Sequence, residues 1–218
     1  MGLEYLAIPN YTTLSRRLAK LNISIIRTLR NKDAIHVVVD STGLKVFGEG
    51  EWKVRQHGIS KRRSWIKLHL GVDESNNQII SAVVTENNFK DNQVFDDLLN
   101  NITEPLYQVT GDGAYDAENC YQKSVELGIT PIFPPRKDAA IRCKHHPRND
   151  HIKRIKKIGK KAWKVETNYH RRSIAETTMF RLKQITGNHI VSRNFEHQAN
   201  ELFIRCNILN QMLLSSAR

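Results

Sequence analysis

The chain changes its hydrophobic period at residue 35, and that change limits the folds open to it. Before it, Leu14, Leu18 and Leu21 recur at helical spacing after the polar opening Tyr11-Thr12-Thr13. After it, the pattern is that of strands. Ile35 to Val39 is a short apolar run ending at Asp40, followed by the breaker Ser41-Thr42-Gly43. Ile66, Leu68, Leu70 and Val72 alternate with Lys67, His69 and Gly71, as in a half-buried strand. Asn76-Asn77 signals a turn, and Ile79 to Val84 is the return strand of a hairpin. The helical period then resumes. Asp91 caps a predicted short helix with Val94, Phe95, Leu98 and Leu99 on one face. Leu106 to Thr110 is a fourth strand ending at Gly111-Asp112-Gly113. Asp116 is expected either to cap a helix that Gly128 closes or, four residues after Asp112, to back that acid, and Ile129 to Phe133 is a fifth strand stopped by Pro134-Pro135. Two further helices are predicted, Ile174 to Ile185 and about Glu196 to Leu214. Short connections make the first three strands antiparallel, and helical crossovers make the later ones parallel. The expected fold class is α/β: a mixed five-stranded sheet with helices on both faces. Residues 1–33 are expected to form a helical arm, and residues 34–218 one domain.

At 218 residues the chain is long enough for one domain with a substantial core. It has no stretch of about 18 apolar residues and no signal-peptide core, so no membrane partner is expected and a cytoplasmic location is. Three cysteines, Cys120, Cys143 and Cys206, have no framework spacing and fit a reducing compartment. The net charge is +12, and it is concentrated. The 37 residues from Arg136 to Arg172 hold fourteen Lys and Arg against three Asp and Glu, a net +11. A cationic patch of this density on a folded domain points to a polyanion, with nucleic acid the first candidate.

Asp40 and Asp112 occupy equivalent predicted positions, at the ends of the first and fourth strands, and a glycine follows each within three residues. In open α/β sheets ligands bind beyond the carboxyl ends of strands where the strand order reverses, and these two strands flank that point. Either acid alone is equally well read as a turn-former. Metal-assisted phosphoryl transfer needs a third acid. Tyr169, Arg172, Glu176 and Lys183 follow one another at steps of 3, 4 and 7, which on a helix places all four on one stripe. Such a stripe presents a carboxylate able to hold a divalent ion between cations able to hold phosphate oxygens. The same residues admit a plainer reading: Ser173-x-x-Glu176 matches a capping box, with Arg172 and Lys183 as solvated ion-pair partners.

The motifs Val39-Asp40-Ser41-Thr42-Gly43, Gly48 to Arg55, Gly111-Asp112-Gly113-Ala114-Tyr115-Asp116, Pro134-Pro135-Arg136-Lys137 and Tyr169-His170-Arg171-Arg172-Ser173 with Glu176 carry a resemblance. Over about residues 9–214 the chain resembles the DDE transposases of bacterial insertion sequences, in the insertion-sequence-five-like group of the IS-four-type superfamily. Tyr169, Arg172, Glu176 and Lys183 match that family's Tyr-x2-Arg-x3-Glu-x6-Lys signature at every position. The resemblance implies a ribonuclease-H-like fold with an insertion between the second and third acids, and the basic window, about residues 136–167, falls in it. Family members usually carry a further N-terminal region that helps bind terminal repeats, so the expectation here is a truncated copy or a partial reading frame.

The resemblance also implies an activity, namely metal-dependent DNA cleavage and strand transfer at insertion-sequence ends. Asp40, Asp112 and Glu176 are then the catalytic, metal-binding residues. Three carboxylates within about 5 Å repel by roughly 3 kcal/mol per pair at an effective dielectric of 20, so counter-ions are expected. Two Mg²⁺ ions about 3.5–4 Å apart supply them, with Mn²⁺ able to substitute and Asp40 bridging both. Arg172 and Lys183 position phosphates, and Tyr169 binds a phosphate or orients Glu176. Arg136, Lys137, Lys156, Lys157, Lys160 and Lys161, with Lys53, Arg55, Lys61, Arg62 and Arg63, grip the backbone of double-stranded DNA, both terminal inverted repeats and target. Trp52 and Trp163 either stack on an unpaired base or pack in the core. The expected assembly on DNA is a homodimer. Two other readings remain at this stage: a DNA-binding remnant without catalysis, and a related nuclease such as a ribonuclease H or resolvase. Cys143-x-His145-His146 is at most half a zinc site.

Overall fold

In the computed structural model the described residues are 8–27, 33–46, 65–136, 138–141 and 146–216. The sheet follows the expected order. Strands β1 (Ile35–Val46), β2 (Trp65–Asp73) and β3 (Ile79–Glu86) form an antiparallel meander. Strand β4 (Leu106–Thr110) pairs parallel to β1 and β5 (Thr130–Ile132) parallel to β4, giving the spatial order β3-β2-β1-β4-β5. A sixth strand of two residues, β6 (His189–Ile190), adds to the five predicted and pairs parallel to the far end of β1.

Two apolar layers follow from the period-2 alternation of β1. Val38 and Leu44 face one way, onto α5 (Ser173–Thr186) and α6 (Phe195–Ser216) through Ala175, Met179, Leu182, Leu202, Cys206 and Leu209. Val37 and Val39 face the other way, onto α2 (Phe95–Asn100) and α3 (Glu118–Glu126) through Phe95, Leu98, Leu99, Cys120 and Tyr121. The helix predicted on Val94, Phe95, Leu98 and Leu99 does bury all four. Gly128, at φ +66°, closes α3 as expected.

Two expectations need correction, and a third is narrowed to one of its alternatives. β1 does not end at Asp40 but runs six residues further, because it keeps antiparallel partners on β2 as far as Lys45. Asp116 caps nothing: the N-cap of α3 is Ala117, and the Asp116 side chain is used elsewhere. The basic window, which the sequence leaves either irregular or loosely helical, is helical over most of its length. It holds α4 (Pro147–Glu166), bent where Gly159 adopts φ 84° and ψ 155°, a conformation open essentially to glycine alone. Its inward residues Ile152, Ile155, Ile158 and Trp163 are buried or half-buried and the lysines between them point outward.

The N-terminal segment carries the predicted helix, α1 (Tyr11–Ala19), which buries no side chain. The chain beyond it lies along α6, clipped by asparagines. Asn200 Nδ2 donates to Leu18 O (2.9 Å), Asn207 accepts from Ile26 N (2.7 Å) and donates to Ser24 O (2.9 Å). Asn210, fully buried, accepts from Ile79 N (3.0 Å) and donates to Ile79 O (2.8 Å) and Ile26 O (3.1 Å). It thereby satisfies the sheet-edge strand β3 and the N-terminal segment together. Replacing Asn210→Ala strands three backbone groups, and at about 1–3 kcal/mol for each buried orphan the expected loss is about 3 kcal/mol or more. Urea unfolding should show it as a lower midpoint at unchanged slope. Asn207→Ala, whose bonds are solvent-exposed, is expected to cost under about 1 kcal/mol.

Candidate active site

The lengths of the strands open a notch in the sheet. On the side of β1 away from β2, β4 covers Ile35 to Val38 and β6 covers Lys45 and Val46. Between them neither strand pairs with β1, and Asp40 lies in this interval. Asp40 has the same parity as Val38, so its side chain stands on the α5 face. Asp112 sits just past the end of β4, the strand that borders the notch, at the N-cap of a 3₁₀ turn (Gly113–Tyr115), where its carboxylate accepts from Ala114 N (2.8 Å). This turn folds back tightly: a Cβ on Gly111 would lie 2.6 Å from the Tyr115 ring, so glycine is required there. The third acid comes from α5.

The Tyr169–Lys183 stripe is built in two pieces. Tyr169 and Arg172 belong to a 3₁₀ turn (Tyr169–Arg172), and Glu176 and Lys183 to α5. The capping box does not form: the N-cap of α5 has no side-chain hydrogen bond, and Glu176 instead accepts from Arg172 Nη2. Arg172 Nη1 reaches Asp40 Oδ2 at 3.3 Å. One guanidinium thus joins a strand carboxylate to a helix carboxylate 136 residues away. Lys183 Nζ donates to Gly43 O (3.1 Å), a carbonyl of the same unpaired stretch of β1.

Electrostatics ties Asp112 to this pair. Burial pushes the Asp40 carboxyl up to about 6, and the negative charges of Asp112 and Glu176 push the same way. The Ser41 N–H bond at 2.8 Å and Arg172 oppose the rise. Burial raises the Tyr169 phenol; Arg172 works against this, and all three acids add to it. Burial works against the charge of Arg172, but Tyr169, Glu176 and Asp40 outweigh it and raise its pKa. Burial alone lowers Lys183. Asp40 and Tyr169 therefore each sense the charge of the other acids, while Arg172 senses Asp40, Glu176 and Tyr169.

A cation fits between Asp40 and Glu176, because the Arg172 guanidinium already occupies such a position. The donors are all oxygens, the kind that Mg²⁺ selects. Among the described residues, however, no three Asp, Glu, His or Cys side chains come close enough to share one ion as they stand.

The remaining predicted residues divide clearly. Arg136, Lys156, Lys157, Lys160 and Lys161 are exposed, and none of them forms an ion pair among the described residues. Trp163 is fully buried beside Tyr169, with ring centroids 5.7 Å apart, which excludes it as a base-stacking surface. His69, which the sequence leaves either facing the site or as a sheet-face histidine, is the latter: it is fully buried on the α2 face, bonded to Thr85 Oγ1 (3.0 Å) and 3.6 Å from Asp91. His146 serves as the N-cap of α4. Lys53, Arg55, Lys61, Arg62, Arg63, Trp52, Lys137, Cys143 and His145 lie outside the described residues.

Sequence reasoning read Asp116 as a helix cap or as an acid backing the site, and missed its partner: the carboxylate is buried against Arg148 at 2.6 Å. It also missed the Lys67–Asp91 pair (2.9 Å) beneath the sheet. No local spacing links either pair. Only the four-residue distance of Asp116 from Asp112 hinted that it belonged to the site.

The raised Asp40 pKa has a consequence for stability. The native state binds this proton more tightly than the unfolded chain, whose value is the ordinary 3.8. Its contribution is whole below about pH 3.8 and is lost as the pH rises through about 6. Without divalent ions, Asp40→Asn is therefore expected to melt at a higher temperature than the unmodified protein at pH 7–8. The gain is at most about 2–3 kcal/mol, less the lost Arg172 contact, and should vanish towards pH 4 in a thermal-unfolding series.

A family model described as Transposase DDE domain matches residues 31–211, the span holding all three acids and the Tyr169–Lys183 stripe. A second family model with the same description matches residues 1–49. No helix among the described residues is long and apolar enough to cross a membrane. With the first match covering most of its length, the chain belongs to the DDE transposase family.

Proposed function

We propose that this chain performs metal-dependent DNA cleavage and strand transfer at the ends of an insertion sequence, with Asp40, Asp112 and Glu176 as its catalytic carboxylates. The observation that carries the reading is the Arg172 guanidinium held between Asp40 and Glu176, with the charge of Asp112 felt at the same point. Mutually repelling acids gathered in a half-buried notch call for positive charge, and a scissile phosphate with divalent ions brings a matching charge distribution.

The chemistry is two in-line displacements at phosphorus. Water attacks the phosphate at the element end, the bond from phosphorus to the 3′-oxygen breaks, and a 3′-hydroxyl is released. That hydroxyl then attacks a target phosphate, forming a new ester bond and releasing the target's 3′-hydroxyl. No bond to the protein forms, so no serine or tyrosine nucleophile is required. When bound by the three carboxylates, Mg²⁺ or Mn²⁺ supplies stabilisation of the attacking and leaving oxygens. Arg172 exchanges carboxylate for phosphate oxygens as DNA arrives, which its planar fork suits. Tyr169, wedged between Trp163 and the acids, fixes the turn that aims Arg172.

Arg136 and the exposed lysines of α4 are proposed to hold the phosphate backbone, together with Lys53, Arg55, Lys61, Arg62, Arg63 and Lys137. The ligands are the terminal inverted repeats and target DNA, a homodimer assembles on them, and the insertion-sequence-five-like group is the proposed place within the family. The arm over 1–33 and the catalytic domain over 34–218 are the proposed division of labour. A cytoplasmic, nucleoid-associated location follows from this substrate.

A second reading, a DNA-binding remnant without catalysis, is favoured by one observation: the acids do not close on a common ion-binding point as they stand. Cleavage assays on DNA carrying the flanking repeats separate the two. With Mg²⁺ or Mn²⁺ the unmodified protein should nick or join DNA, and with EDTA it should not. Asp40→Asn, Asp112→Asn and Glu176→Gln should each lose about 10²-fold or more in rate while still binding DNA. Binding without cleavage by the unmodified protein establishes the remnant reading instead. Replacing Lys156, Lys157, Lys160 and Lys161 by alanine should flatten the log–log salt dependence by about 0.9 for each lysine that neutralises a phosphate. An unchanged slope would remove α4 from the interface.

A further inference from the structure

The most deeply buried ion pair near the site joins two parts of the chain that the chemistry would keep separate. The Asp116 side chain is 0% exposed and that of Arg148 8% exposed. Asp116 Oδ2 accepts from Arg148 Nη2 at 2.6 Å and from Arg136 N at 3.3 Å, and Oδ1 accepts from Tyr121 Oη at 3.0 Å. One carboxylate thus gathers α3, the strand exit after β5, and the first turn of α4. Buried pairs of this kind add little net stability compared with apolar residues of the same shape, but removing one partner is costly. What such a pair can supply is a fixed geometry.

Each of its two sides is held by further contacts. Asp116 follows Asp112 across one 3₁₀ turn, pinned by the fully buried Tyr115. Arg148 starts α4, and two histidines fix that helix in single tautomers. His146 Nδ1 accepts from Arg148 N (3.2 Å), so Nε2 carries the proton shared with Glu118 (3.1 Å). His151 Nδ1 accepts from Trp163 Nε1 (3.3 Å), so Nε2 donates to Pro131 O (2.8 Å). At the far end Trp163 packs on Tyr169, the first residue of the turn that aims Arg172. The helix bearing Lys156, Lys157, Lys160 and Lys161 is therefore tied to the Asp112 turn at one end and to the Arg172 turn at the other.

We propose that Asp116 and Arg148 are positioning residues that hold the cationic helix in register with the Asp112 carboxylate. DNA phosphates gripped by the lysines then arrive at the notch at a fixed offset. The functional half of this proposal rests on the catalytic reading above, while the geometric half does not.

The experiment uses the full chain with spin labels on Lys157→Cys and Asp97→Cys, in a Cys143→Ser background. Asp97 lies exposed on α2, in the opposite layer, and Cys120 and Cys206 are buried. Pulsed dipolar spectroscopy should give one narrow distance distribution, and Asp116→Asn should broaden or displace it at temperatures where the variant remains folded. Arg148→Lys, which keeps the charge but loses the fork, gives the same readout with a smaller risk to folding and decides the matter if Asp116→Asn does not fold. In single-turnover cleavage at saturating DNA both variants should be slower by about 10-fold or more, as expected for misplaced reactants, with DNA affinity within about threefold. An unchanged distance distribution, or an unchanged rate per folded molecule, overturns the proposal and leaves the pair a stabilising contact. If the unmodified protein does not cleave, the catalytic reading fails, and the distance measurement alone decides whether the pair sets the geometry.

Discussion

The site depends on a mismatch of strand lengths. β1 is twelve residues long, and on one side its neighbours β4 and β6 cover only its two ends. A continuous sheet would have filled the interval with a backbone ladder and left no room for side-chain chemistry. Because β2 supports the same stretch of β1 from the other side, the notch stays rigid. Asp40 is thus held by a well-paired strand yet opens into a gap, and Lys183 reaches into that gap to satisfy the Gly43 carbonyl.

Charge is distributed over this frame at two scales. Close in, one guanidinium bridges Asp40 and Glu176, and burial leaves Asp40 reluctant to ionise. Further out, Lys156, Lys157, Lys160 and Lys161 of α4 present exposed positive charge on a helix whose inner face is sealed by Ile152 and Trp163. The first arrangement is short-ranged and favours the exchange of one counter-charge for another. The second is long-ranged, screened by salt, and suited to collecting a polyanion.

Buried polar contacts connect the two scales. Asp116 joins the Asp112 turn to the base of α4, and Trp163 joins the top of α4 to Tyr169. On the opposite side of the molecule the asparagines of α6 do similar work, holding the N-terminal segment to a sheet edge through backbone groups and not through apolar burial. The clip specifies register chiefly at Asn210, where misalignment would leave buried donors and acceptors unpaired.

The order and direction of the strands, the helix on Val94 to Leu99 and the cationic window were legible in the sequence, because they rest on local periodicity and composition. The Tyr169–Lys183 spacing was legible only in part: Glu176 and Lys183 share the helix, while Tyr169 and Arg172 sit in the 3₁₀ turn before it. The sequence could not determine where β1 ends, because a strand stops when its partners do, and those partners are distant in sequence. It could not reveal that Asp116 would leave its helix for Arg148, or that Trp163 would be buried and not presented to a base. Local spacing decides what an element is. Which buried charge meets which depends on close packing between segments far apart along the chain, and only the tertiary structure decides that.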